Sequence, residues 1–154
     1  MKQDDQNIDF EKSIGPWLGK TVKILEYHLQ ELFNQCNLDL TKEQMIVLKR
    51  LHDKDGLSQN ELAFLTLRNK SSLARLLSKM ETKGYIIRRQ SKTDKRINEV
   101  YLTPFGKSLF KKTKPVMKKM IVTMEQNISD LEKHQIIEIL KKVQNNFNSE
   151  IEPI

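Results

Sequence analysis

Five polar side chains in the stretch NKSSLARLLSKM share one side of a helical repeat. Lys70, Ser71, Ser72, Arg75 and Lys79 fall opposite Leu73, Leu76, Leu77 and Met80. The chemistry such a face can do is hydrogen bonding to a nucleic-acid duplex. An arginine fork takes guanine through two parallel bonds, a contact worth about 1–3 kcal/mol of discrimination. Serine hydroxyls are short donors and acceptors suited to base edges or phosphates, and Lys79 supplies a point charge for phosphate. The competing reading of Ser71 and Ser72 is plain capping of the helix start. A second cationic group follows in SKTDKR, where Lys92, Lys95 and Arg96 cluster at the tip of an expected hairpin. Arg96 and Lys95 suit a narrow minor groove, where negative potential concentrates. Asp94, two residues from Arg96, is placed to hold the tip through an ion pair. Arg88 and Arg89 lie at the hairpin's base, facing phosphate or, alternatively, lining an ordinary solvated strand.

The charge distribution points the same way. The chain has 154 residues and a net charge of +7. From Leu57 to Leu102 there are ten Lys and Arg against four Asp and Glu, while the other 108 residues hold 17 against 16. A positive field this localised favours a polyanion, either nucleic acid or an anionic surface. No apolar run reaches the ~18 residues of a membrane span. The acidic N-terminus MKQDDQNIDF has no apolar leader, and the single Cys36 gives no disulfide framework, so the cytoplasm is the expected compartment.

These residues need elements to position them. Apolar residues from Ile14 to Cys36 at three- and four-residue steps predict a long amphipathic helix of about seven turns, with Pro16 near its start and a break near Asn37. Thr41 with Gln44, and Ser58 with Glu61, form capping boxes that open two more helices, and KDG at Lys54–Gly56 separates them. Asn69 caps the cationic helix and Gly84 ends it. Tyr85–Gln90 and Ile97–Leu102 are strand-like. Thr103-Pro104 starts a lysine-rich helix to about Gln126, and Ser129 caps a last one. The expectation is a mainly α chain with a small β wing: one domain over 1–154, its winged helix-turn-helix lobe at about 40–103. Long helices at about 8–37 and 104–151 bracket that lobe.

In that order the motifs resemble a known family. Thr41, Gln44 and Leu48 open the series; Ser58, Glu61, Leu62 and Ala63 follow; then come SSLARLLSKMETKG, Asp94-Lys95-Arg96 and LTPFG. This series resembles the MarR family of bacterial winged-helix transcription regulators, with Lys95 in place of the commoner wing arginine. The resemblance implies a homodimer that binds a pseudo-palindromic double-stranded DNA operator, most often as a repressor. It also implies a small aromatic or phenolic effector between the outer helices and the DNA lobe, for which Trp17, Met45, Leu48 and Met117 are candidate lining residues. In the family the wing aspartate is a structural partner rather than a DNA contact.

Surplus apolar residues on the outer segments fit the dimer: Ile8, Phe10, Ile14 and Trp17 with Ile128, Ile136, Ile139, Leu140, Phe147 and Ile151 exceed what one small core needs. Cys36 is expected as a buried structural thiol, since no neighbouring cation would activate it. His28, His52 and His134 lack metal-ligand spacing, so neither a metal nor a cofactor is expected. No phosphate loop, GxSxG elbow or HExxH helix appears, which argues against an enzyme. Two rival readings stand. A winged-helix protein-interaction module would need an apolar or acidic outer face on the cationic helix. A membrane-surface binder would use FGKSLFKKTKPVMKK, and no membrane is expected.

Overall fold

The computed structural model describes residues 8–147. Six helices and three short strands follow in order: α1 (Ile14–Gln35), α2 (Lys42–Asp53), β1 (Leu57–Ser58), α3 (Gln59–Leu65), α4 (Lys70–Thr82), β2 (Ile86–Gln90), β3 (Asn98–Leu102), α5 (Pro104–Met124) and α6 (Asp130–Asn145).

The helix starts are built by the side chains that advertised them. Thr41 accepts from the Gln44 amide while Gln44 returns to the Thr41 N–H, and Ser58 with Glu61 repeats the arrangement. Ser129 and Glu132 form a third such box, and Thr103 with Pro104 opens α5. Left-handed residues end the segments: Asn37 (φ 55°) after α1, Gly56 (φ 76°) after α2 and Gly84 (φ 78°) after α4. The helix α1 has 22 residues, about six turns at 3.6 residues each rather than seven. The helix α5 continues through Pro115.

The core sits where α2, α3, α4 and the sheet meet α1 and α5. Phe33, Leu48, Leu62, Leu77, Met80 and Ile86 are fully enclosed there. The sheet has the order β1-β3-β2, all antiparallel, with Leu57 opposite Val100 and Ile87 opposite Tyr101. The two-residue β1 was not expected, because a segment that short carries no periodicity; Leu57 is recruited by burial against Val100.

One joint fixes the wing to the long helix. Thr103 donates its hydroxyl to the Gly84 carbonyl at 2.5 Å and accepts the Gly106 amide at 2.9 Å. A Cβ on Gly106 would lie 2.0 Å from the Tyr85 carbonyl oxygen, so only glycine lets α5 pass this close to the start of β2.

The outer helices look different. In α6 no described residue is buried, and Ile136 and Ile139 are about half exposed. Ile8, Phe10, Ile14, Trp17, Ile128 and Phe147 are exposed too, Leu140 is partly covered, and Ile151 lies outside the described residues. Cys36 is exposed, contrary to expectation: α1 ends at Gln35, so Cys36 turns away from the stripe that buries Leu29 and Phe33. Among the described residues no helix is long and apolar enough to cross a membrane.

Candidate nucleic-acid interface

The first turn of α4 is organised by Asn69. Its side-chain oxygen accepts the Ser72 amide at 2.8 Å and the Ser71 hydroxyl at 3.0 Å. Both serines thus belong to the capping network that was the rival reading for them. Arg68 precedes the cap and donates Nη2 to Ser72 Oγ at 2.7 Å. Leu67 just before it is left-handed (φ 54°), and the Arg68 amide donates to the Ala63 carbonyl, so the turn from α3 fixes where Arg68 stands.

Beyond the cap, Leu73, Leu77 and Met80 are buried, while Lys70, Ser71, Arg75 and Lys79 are exposed. Ser72 is half-buried. Among the described residues no carboxylate lies within ion-pairing distance of Lys70, Arg75 or Lys79, whereas Lys83, just past the end of α4, pairs with Asp39. This helix therefore turns an uncompensated cationic side to solvent.

The wing is stiffened from inside. Ser91, nearly fully buried, accepts the Thr93 and Asp94 amides on its hydroxyl, and its own amide donates to the Ile97 carbonyl at 2.8 Å. Asp94 accepts the Arg96 backbone N–H at 3.0 Å. The expected Asp94–Arg96 side-chain ion pair is absent among the described contacts, because at this spacing in a turn the amide meets the carboxylate and the guanidinium projects away. Lys92, Lys95 and Arg96 are exposed on the resulting tip without an acidic partner among the described residues.

Arg88 and Arg89, read together from the sequence, part company. Arg89 is exposed and lies over the Tyr101 ring at 5.8 Å. Tyr101 in turn donates to Glu99, whose carboxylate raises the phenol's pKa. Arg88 points back to α4. Its backbone N–H and Nε reach Glu81 Oε2 at 2.9 and 3.3 Å, and Nη2 reaches Glu81 Oε1 and Ser78 Oγ, each at 3.2 Å. This hydrogen bonding holds the Glu81 carboxyl below its usual pKa against the opposing effect of burial. Arg88 is thus occupied within the chain, as the strut between α4 and the wing. Glu81 and Arg68 carry no distinguishing signal in sequence, since their partners are set by tertiary approach.

The candidate effector residues separate as well. Met45 and Met117 line an open groove between α2 and α5 with Phe110, Thr113 and Ile121, a cavity of about 450 Å³. Leu48 is fully buried beneath, and Trp17 stands at the exposed start of α1 with its indole N–H on the Glu11 carbonyl. Those two do not line it. Among the described residues no three His, Cys, Asp or Glu side chains gather as a metal group.

Residues 40–97 match the family model described as MarR family. The transcriptional regulator HosA of Escherichia coli O157:H7 is 28% identical over 126 residues, covering 77% of this chain and 93% of that protein. Among solved structures, the MepR–DNA complex of S. aureus superposes with a TM-score of 0.82 at 24% identity, covering 88% of this chain and 99% of that one. BpsR of Bordetella bronchiseptica, whose DNA binding is described as regulated by 6-hydroxynicotinic acid, gives 0.81 at 19% identity over 90% of this chain and 97% of its own. HosA is named as a regulator of transcription, and the MepR structure is a complex with DNA. The chain therefore carries a MarR-family domain at residues 40–97 and has the winged-helix fold of that family.

Proposed function

We propose that this protein is a homodimeric, cytoplasmic, sequence-specific regulator of transcription, a repressor that reads a pseudo-palindromic operator in double-stranded DNA. The observation that carries the reading is the pair of uncompensated cationic surfaces on α4 and the wing tip, tied together by Arg88 and Glu81. In this reading α4 enters the major groove with Lys70, Ser71, Ser72, Arg75 and Lys79 along it. The tip carries Lys92, Lys95 and Arg96 into the neighbouring minor groove, with Asp94 shaping it and Arg89 near phosphate. Residues of about 40–103 form the DNA lobe, and the segments on either side pair two copies. A lone lobe has few contacts, whereas a dimer sets two α4 helices on half-sites about one helical turn, 34–36 Å, apart.

The apolar groove of Met45, Met117 and Phe110 is the proposed seat of a small aromatic or phenolic effector. It lies between the DNA lobe and α5, so a ligand there would shift the lobe relative to the α5 stalk and release the operator. The DNA-bound state of MepR and the ligand control of BpsR support this reading by analogy of fold.

Selection of bound duplexes from random DNA tests the proposal. The expected result is an enriched pseudo-palindrome occupied by two chains. Retention of duplexes without any enriched sequence would overturn it.

A further inference from the structure

The hydroxyls of Ser71 and Ser72 face the same groove in the proposed complex but are not chemically equivalent. Asn69 Oδ1 accepts the Ser72 amide, which identifies that atom as the oxygen and not the amide nitrogen. An oxygen there can only accept, so the Ser71 hydroxyl must spend its proton on Asn69. Its remaining lone pairs are left facing outward. Ser72 is in the opposite position. A guanidinium has no lone pair to offer, so the Arg68–Ser72 contact consumes a lone pair of Ser72 Oγ and leaves its proton free. Arg68 has little freedom to do otherwise, because its backbone is fixed by the left-handed Leu67 turn and its Nε is buried without a partner.

We infer that Arg68 and Asn69 set opposite hydrogen-bonding polarities on the two serines, so that Ser71 reads a base donor and Ser72 reads a base acceptor. The inference rests on the DNA-binding reading above and adds a positioning residue, Arg68, that lies outside the cationic face. In the major groove the base donors are the N4 amine of cytosine and the N6 amine of adenine, while guanine and thymine offer only acceptors for hydrogen bonding. Ser71 therefore selects A or C on the strand it meets. Phosphate oxygens also only accept, so the lone pairs of Ser71 are unsuited to the backbone, and a contact there is base-directed. Ser72 selects against cytosine, the one base whose major-groove polar group is solely a donor.

The test measures the affinity of the full-length protein for its selected duplex and for duplexes substituted at each half-site position. Wild type, Ser71→Ala, Ser72→Ala, Arg68→Met and Arg68→Lys are compared. In wild type, one position favours A or C, and that preference relaxes roughly fivefold in Ser71→Ala, the scale of one net hydrogen bond. Another position disfavours C; this discrimination is lost in Ser72→Ala and in Arg68→Met, and returns in Arg68→Lys, which restores a donor. A thermal melt establishes that each variant is folded. Should Arg68→Met not fold, Asn69→Ala takes its place as the polarity variant, with relaxed A or C preference expected at the Ser71 position. The polarity assignment falls if Ser71→Ala relaxes a position that favours G or T, or if Arg68→Met keeps a discrimination that Ser72→Ala loses. In both of those cases the protein still selects a duplex and the DNA-binding reading stands. A wild-type protein that prefers no duplex overturns both.

Discussion

Arg88 on β2 closes on Glu81 of α4 through three hydrogen bonds to one carboxylate, from its backbone N–H, Nε and Nη2. Arg88 thereby ties β2 to α4, with a further bond from Nη2 to Ser78 Oγ on the same helix. The two side chains are 25% and 39% exposed, so the pair lies in the weaker, partly screened regime, and its value for stability is about 1 kcal/mol. In the proposed complex its effect on binding is expected to be larger, because it ties α4 to the wing.

Glu81→Gln is accordingly expected to lower the urea midpoint slightly and DNA affinity several-fold. Dimethyl sulfate footprints should show protection of adenine N3 in the minor groove weakening before that of guanine N7 in the major groove. The pH dependence has a definite sign. The Glu81 carboxyl is held below its unfolded value, so its contribution is present above about pH 4.5 and fades as pH falls through the lower folded pKa. Wild type should lose this part of its stability on acidification, and Glu81→Gln should not. Identical acid profiles would assign the Arg88–Glu81 contact no thermodynamic role.

Arg75 and Arg96 should fail differently. Arg75→Ala removes the one fork on the outward face of α4, costing about 1–3 kcal/mol on the selected duplex and little on scrambled DNA. Arg96→Ala removes a wing charge and should weaken both duplexes alike, most at A·T-rich flanks, reducing the salt slope by about 0.9 per lost phosphate contact. Competition anisotropy at several salt concentrations separates the two. A uniform loss for Arg75→Ala would remove α4 from the reading role.

Much of this architecture was legible because it is local. Thr41, Ser58, Asn69 and Thr103 signal helix starts through partners two or three residues away, and Asn37, Gly56 and Gly84 signal the ends. What escaped depends on contacts between segments distant in sequence. Leu57 becomes a strand only because Val100 comes to it, and Arg88 differs from Arg89 only because Glu81 lies on its side of the sheet. Cys36 followed the apolar step of α1 but fell one residue past its end, so periodicity placed it inside while the helix terminus placed it outside. Leu48 and Met45 share a stripe in sequence, yet only Met45 reaches the groove.

Gly106→Ala tests the joint between wing and stalk. A methyl group at that site meets the Tyr85 backbone carbonyl at 2.0 Å, and a backbone atom cannot rotate away as a side chain would. The expected cost is about 3 kcal/mol, at the upper end for overpacking, read as a large drop in urea midpoint or loss of soluble protein. An unchanged midpoint would mean that α5 is free to shift from β2, and that the stalk does not register the position of the lobe.

Ile136 and Ile139 offer the decisive test of pairing. Both are about half exposed on a helix that buries no described residue within its own chain, an arrangement a single copy has no reason to keep. Exchanging Ile139 for Asp places a charge on that face without touching the enclosed core around Leu48, Leu62 and Leu77. Sedimentation should then report a folded monomer for the variant and a dimer for wild type. Operator affinity should collapse by far more than the loss of any single cation, because each lobe must hold its half-site alone. The binding curve should also become dependent on half-site affinity rather than on the spacing between half-sites. If Ile139→Asp still sediments as a dimer and keeps its affinity, the copies meet through some other face, and α6 is exposed for a different reason.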